Sequence, residues 1–122
     1  MKCEISMGEV LDKISILRIK RDKIKDLVKL KHIRQELWIL EENIKDFNCR
    51  SYLVRLRTVN EVLWDTEDAI RLKEKDKMFD REFIELARRI YQTNDERFKI
   101  KNEVNQIFHS EIQEQKSYER YI

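Results

Sequence analysis

The chain has 122 residues, of which 26 are basic and 24 acidic, so 41% of it is charged while the net charge is only +2. It contains no proline and a single glycine, and this composition favours long uninterrupted helices over strands and tight turns. No run of about 18 uncharged apolar residues is present, so a transmembrane helix is excluded and no membrane association is expected. We therefore predict one all-α domain over residues 1–122: an antiparallel bundle of about four amphipathic helices, closed within one chain or completed by dimerisation.

The first helix is predicted to begin near Met7, after a short lead at 1–6. Ser6 and Glu9 have the spacing of a capping box, in which the hydroxyl and the carboxylate satisfy reciprocal backbone donors. A second apolar edge, at Ile16 and Ile19, predicts that this helix is covered from two sides. A bend or short loop is expected at 25–29. The main apolar stripe of this helix consists of Val10, Leu11, Ile14, Leu17, Ile24 and Val28.

A second apolar stripe follows in alternating steps of three and four residues, the spacing of a coiled coil. A loop is predicted at 47–51, with Ser51 capping a third helix that ends in the charged stretch 73–77. Asp80 is predicted to cap a fourth helix that reaches about His109, and the polar tail, about 110–122, has Tyr118 and Tyr121 as expected anchors. The residues of the second apolar stripe, before the predicted loop, are Leu30, Ile33, Leu37, Leu40, Ile44 and Phe47.

The charges are unevenly distributed along the chain. Between Lys13 and Arg34 there are nine basic residues against two acidic ones, whereas Asn60–Asp68 contains four acids and no base. We expect these segments to lie near each other in the fold or across a dimer. A nucleic-acid-binding surface on the basic stripe 13–34 is the alternative, which the flanking acids and the near-neutral total do not favour.

The fourth helix contains a polar interruption of its apolar face. Between Ile90 and Val104, core positions are taken by polar side chains, and such groups need partners because an unpaired buried charge is costly. The expected partners are acids of the first helix or an anionic ligand; otherwise the cations reach solvent. We predict a carboxylate oxygen of that helix about 3 Å from a guanidinium of the fourth. The candidate ligand-binding residues are Glu9, Asp12, Lys13 (at the rim), Asn94, Arg97 and Lys101.

Other chemistries find little support, and neither a metal nor a cofactor is predicted. The two histidines lack the spacing of a metal site, and a lone glycine cannot form a phosphate-binding loop. Cys3 and Cys49 lie far apart without a CxxC pattern, which indicates two reduced thiols in a cytoplasmic protein. Carboxylate pairs on facing helices could hold Mg²⁺, as in all-α nucleotide pyrophosphohydrolases, but the spacing does not reproduce the acidic motif of those enzymes. These pairs involve Glu41, Glu42, Asp46, Asp65 and Asp68.

Several segments resemble an uncharacterised family of short helical bacterial and bacteriophage proteins. The resemblance extends over nearly the whole chain and implies a helical fold without an established activity. Some members resemble accessory genes beside surface-polysaccharide enzymes. Its patterned polar residues include Glu9, Asp12, Lys13, Asn94 and Arg97. The segments are Ile5–Leu17, Ile16–Lys20, Leu63-Trp64 with Glu67-Asp68, Phe83–Ala87 leading to Thr93-Asn94-Asp95-x-Arg97, and Glu114-x-Lys116-Ser117-Tyr118.

The leading hypothesis is a non-enzymatic cytoplasmic interaction protein that forms a homodimer and binds a protein partner. Its polar residues would then be structural, with Glu9 and Asp12 accepting hydrogen bonds from the cations of the fourth helix. One alternative is a small all-α enzyme or sensor that binds an anionic small molecule through Lys13, Arg97 and Lys101. The other is a nucleic-acid-binding accessory protein that uses the basic stripe.

Overall fold

The computed structural model describes residues 1–110, 112, 114–117 and 119. Over these residues the chain forms four α-helices and no strand: α1 (Met7–Lys23), α2 (Leu27–Ile44), α3 (Arg50–Lys75) and α4 (Arg81–Ile107). The helices pack against one another, so the predicted all-α bundle is confirmed. None of the described helices is both long and apolar enough to cross a membrane. The predicted anchors Tyr118 and Tyr121 lie outside the described residues.

Side-chain caps start both α1 and α2. The Ser6 hydroxyl accepts a hydrogen bond from the Glu9 N–H at 3.2 Å, which is the Ser6 half of the predicted capping box, and α1 begins at Met7 as predicted. Ile24 is extended and ends α1, and the Asp26 carboxylate then accepts from the Lys29 N–H at 3.0 Å, which starts α2. The prediction that the first helix carries Val28 is therefore wrong: Val28 lies in the exposed first turn of α2.

The next two helices begin differently from each other. The predicted cap of α3, Ser51, is wrong, because the helix begins earlier, at Arg50, and its N-cap Cys49 makes no side-chain capping bond. Cys49 is buried in the core, so packing rather than a polar cap holds this helix start. Asp80 caps α4 as predicted, accepting from the Phe83 N–H at 3.0 Å.

Helix α1 lies at the centre of the molecule. It packs against α2, α3 and α4, as its two apolar edges predicted, and Leu11 and Ile14 are completely buried. α3 and α4 also pack on each other, whereas α2 lies against α1 alone among the described helices. The coiled-coil-like stripe of α2 is used within this one chain, where Leu30, Ile33, Leu37 and Ile44 are buried.

The helix directions determine which residues can meet. α3 and α4 are antiparallel, with Arg55–Glu103 (2.8 Å) joining them at one end and Lys73–Glu82 (2.9 Å) at the other. α1 runs antiparallel to α4, because Gly8 lies beside Asn105 and Asp12 lies beside Arg97. The predicted polar residues of the first and fourth helices therefore face each other across the α1–α4 contact.

Candidate functional site

The close approach of α1 to α4 depends on Gly8. Its N–H donates to the Asn105 side-chain oxygen at 2.7 Å. A Cβ atom at this position would lie 2.6 Å from the Lys101 carbonyl oxygen and 2.8 Å from Asn105 Oδ1, both closer than real contacts allow. Only glycine lets the two backbones meet here, so the single glycine of the chain fixes the helix pair that carries the polar cluster.

Asp12 and Arg97 form a bidentate ion pair between α1 and α4. Arg97 Nε donates to Asp12 Oδ1 at 2.9 Å, and Arg97 Nη2 donates to Asp12 Oδ2. The Asp12 side chain is only 3% exposed, so the pair is shielded from water. The hydrogen bonds that Arg97 donates to Asp12 raise the pKa of Arg97 even though burial opposes the shift. The predicted carboxylate–guanidinium contact is present at the predicted distance.

Asn60 of α3 completes the environment of Asp12, and our sequence interpretation missed it. Its Nδ2 donates to Asp12 Oδ1 at 2.9 Å and to Ser15 Oγ at 2.8 Å, while Ser15 Oγ donates to the Asp12 backbone carbonyl at 2.7 Å. The sequence did carry a signal, because Asn60 lies four residues after Leu56 and three before Leu63, on the apolar face of its helix.

Lys101 lies one helical turn beyond Arg97 and contacts two carboxylates. Its Nζ is 2.6 Å from Glu9 Oε1 and 2.9 Å from Glu114 Oε2, and the side chain is 7% exposed. Burial lowers the pKa of Lys101, but the two carboxylates outweigh burial and the net shift is upward. Burial likewise opposes the net lowering of the Glu114 pKa, which its ion pair with Lys101 produces. Glu114 was not among the predicted site residues.

The remaining two predicted residues lie apart from these ion pairs. Asn94 is half-buried one turn before Arg97 and lines the cavities on both sides of it. Lys13 is exposed and pairs with Glu36 of α2 at 2.9 Å. The structure therefore brings together Glu9, Asp12, Arg97 and Lys101, with Asn94 alongside, but not Lys13. One residue step rotates a side chain about 100° around the helix, which turns Lys13 toward α2 when Asp12 faces α4.

The charges of this cluster are matched internally. A cavity of about 250 Å³ at its surface is lined by Arg97, Lys101 and Lys116 together with Glu9 and Glu114, and Asp12 lies behind Arg97. Among the described residues of the cluster, three cations thus meet three carboxylates, so the positive charges are matched. Within the described part of the chain no group of three His, Cys, Asp or Glu residues is arranged to hold a metal ion.

The basic stripe is dispersed over two helices. Lys13 pairs with Glu36, Arg18 with Glu41 at 3.1 Å, and Lys23 with Asp65 at 3.8 Å. The last of these pairs joins the basic segment to the acidic segment 60–68, the neighbourhood expected from their opposite charges. These contacts leave a shorter basic region around the start of α2.

Comparisons with known proteins identify a family and nothing more specific. No curated protein and no solved structure matches the chain. One family description, a family of unknown function (DUF6165), matches residues 1–122, which is the whole length. The chain therefore belongs to this family of unknown function, whose fold is seen here as an all-α bundle of four helices.

Proposed function

We propose that this protein is a non-enzymatic helical accessory protein that acts through protein–protein contacts, the first of them with a second copy of itself. The matched charges of the α1–α4 cluster support a structural role for that cluster, since each buried cation has a carboxylate partner within the chain. The surface of the molecule then becomes the part available for function. The observation that carries the proposal is the outer face of α2.

The outer face of α2 exposes large apolar side chains. α2 lies against α1 alone among the described helices, and outside that contact Leu27 is 80%, Val28 69% and Trp38 65% exposed. Tryptophan side chains are mostly buried in folded proteins and are enriched at interfaces, where they contribute much of the binding energy. A face of this kind favours a protein partner over bulk water.

The polar residues of the same face make it self-complementary. Lys31, Gln35, Trp38 and Glu42 follow one another in steps of four, three and four residues, so they form one exposed row. Two antiparallel copies of this row place Lys31 of each chain against Glu42 of the other, and Gln35 against Trp38. A two-fold dimer requires this kind of reciprocity, in which one surface patch pairs with itself.

Analytical ultracentrifugation at micromolar to millimolar concentration tests the proposal. We expect the wild-type chain to sediment at twice its mass of 15.1 kDa. Trp38→Asp should give a monomer, whereas Ile84→Asp, which changes an exposed apolar residue near the start of α4, should remain dimeric. Lys31→Glu and Glu42→Lys should each weaken the dimer, and the double variant should restore it. A wild-type monomer at all concentrations would exclude this interface.

Other functions have less support. An anionic ligand at Arg97 and Lys101 would compete with Asp12, Glu9 and Glu114, and Lys13 lies elsewhere. Nucleic-acid binding would rest on a basic stripe whose cations are partly paired with acids of neighbouring helices. The unpaired cysteines, together with the resemblance to bacterial and bacteriophage proteins, support a cytoplasmic location and such an origin.

A further inference from the structure

A second cavity lies on the other side of Arg97, between α1, α3 and α4. Its volume of about 450 Å³ is within the range of small-molecule pockets. Ile19, Leu63 and Trp64 form its apolar wall, and Asn94 contributes an amide next to Arg97. This cavity shares Arg97 and Asn94 with the cavity beside Lys101, but its other lining residues are different and none belongs to α2, so it raises a separate question about function.

Asn60 contributes to this cavity an amide oxygen that accepts no hydrogen bond from the described residues. Its side chain is 95% buried and both of its hydrogen bonds to described residues are donated by Nδ2, to Asp12 and Ser15. A carboxylate accepts hydrogen bonds only, so the amide NH₂ must face Asp12 and the carbonyl oxygen must point away. No described residue donates a hydrogen bond to that oxygen. Asn60 lines the cavity, which is therefore the space available to a donor. The buried Asn60 side chain therefore offers the cavity a hydrogen-bond acceptor to which no described residue donates.

The rest of the polar wall also attracts positive charge. Asp68 makes no ion pair with any described residue, and the pair of Glu67 with Arg71, at 3.3 Å, is largely solvent-exposed. Two of the residues that line the cavity are cations. Arg97 is paired with Asp12, so Lys20 is the cation that remains to face the carboxylates of Glu67 and Asp68. The electron-rich face of an indole, here Trp64, likewise favours a cation.

We propose that this cavity binds a small organic molecule that carries a primary ammonium group. The ammonium group donates to the Asn60 carbonyl oxygen, Asp68 balances its charge, and the indole of Trp64 attracts the cation. The carbon chain of the ligand lies along Ile19 and Leu63. Lys20 can hold a carboxylate at the other end of the ligand, so an amine and an amino acid share this recognition.

Isothermal titration calorimetry with two amines tests the site. We expect 1,4-diaminobutane or the amino acid lysine to bind saturably and to raise the melting temperature, since a ligand of the native state stabilises it. The uncharged 1,4-butanediol should do neither. A diamine preference identifies an amine ligand; a lysine preference that Lys20→Met removes identifies an amino acid. Failure of both amines to bind at millimolar concentration would overturn the proposal.

Matched variants separate this site from general charge effects. Asp68→Asn should weaken binding at least about tenfold, the loss expected when one charged hydrogen-bond partner is removed. Asp65→Asn changes an exposed acid of the same helix that lies outside the cavity, and it should bind as the wild type does. Equal losses in the two variants would contradict a specific site. The monomeric Trp38→Asp variant should keep full binding, so failure of the dimer and failure of this site give different results.

Discussion

The ion pair between Asp12 and Arg97 occupies positions that apolar side chains take elsewhere on the same helices. Burying two charges costs free energy, and their attraction offsets that cost only when the hydrogen bonds around them are complete. Here Asp12 accepts two hydrogen bonds from Arg97 and one from Asn60. These hydrogen bonds link α1 to both α3 and α4, and removal of one partner would leave a buried charge unpaired.

Removal of Arg97 tests this interpretation at the residue scale. Arg97→Ala leaves the buried Asp12 carboxylate without its cation, and the expected loss of unfolding free energy is about 3 kcal/mol, the lower end of the range for broken buried pairs. Arg88→Ala, an exposed position of the same helix, should change it by less than about 0.5 kcal/mol. Urea unfolding of the two variants measures both values, and equal midpoints would show that the ion pair is dispensable.

Gly8 sets how closely helix α1 packs against helix α4. α1 contacts three helices, yet it approaches α4 closely enough for a backbone-to-side-chain hydrogen bond only near Gly8. Larger residues hold helix axes further apart, whereas glycine allows the backbones to meet. The polar cluster follows from that anchor, because Glu9 and Asp12 lie one and four residues after Gly8, within about one helical turn of this contact.

Substitution of Gly8 tests the anchor. In an exposed helix, alanine is more stable than glycine by about 1 kcal/mol. At Gly8 we expect the opposite, a loss of about 1–3 kcal/mol, because the new Cβ atom meets the Lys101 carbonyl, a backbone atom that cannot move aside alone. Arg89→Ala, at an exposed position of α4, is the control and should have little effect. Thermal and urea unfolding would contradict the prediction if Gly8→Ala proved as stable as the wild type.

Ion pairs across the whole molecule predict how its stability varies with pH. Arg57 lowers the pKa of Asp22, and Arg55 lowers that of Glu103. The capping N–H of Phe83, followed by Lys73, lowers the pKa of Asp80. A lowered pKa means that the unfolded chain takes up protons first on acidification, so these groups stabilise the fold above about pH 4 and lose that effect as the pH falls through their folded values.

Urea unfolding between pH 7 and pH 3 measures this dependence. We expect a plateau above about pH 5 and a progressive loss of stability below about pH 4. The exposed pair Arg55–Glu103 provides a variant, because Glu103→Gln should lower stability slightly at pH 7 and make the acid limb less steep. Glu119→Gln, which changes an exposed glutamate, is the matched control. Stability that increased toward pH 3 would contradict the assignment of these ion pairs.

The raised pKa of Lys101 affects stability at the alkaline end of the pH range. Its stabilising effect is complete below the ordinary lysine pKa of about 10.4 and is lost only as the pH rises through the higher folded value. The two effects together place the stable range of the protein around neutral pH, where both sets of ion pairs are formed.

Much of the fold could be predicted from local patterns. The Ser6 and Asp80 caps depend on residues within one helical turn, and the apolar periodicity fixes which face of each helix is buried. The Asp12–Arg97 contact could also be predicted, because a charged residue at a core position requires an opposite charge. Trp64, Glu67, Asp68 and Asn94 were recognised as parts of family-like segments, but no local pattern indicated that they surround one cavity.

The sequence by itself determined the helices, most of their ends and the need for a partner at Arg97, since these depend on interactions within a few residues or on a rule about burial. Tertiary structure alone decided the side of α1 that Lys13 occupies, the part played by Asn60 and Glu114, and the helix face left exposed on α2. These features depend on the rotation and separation of whole helices. A shift of one residue rotates a side chain by about 100°, and a single glycine sets the distance between α1 and α4.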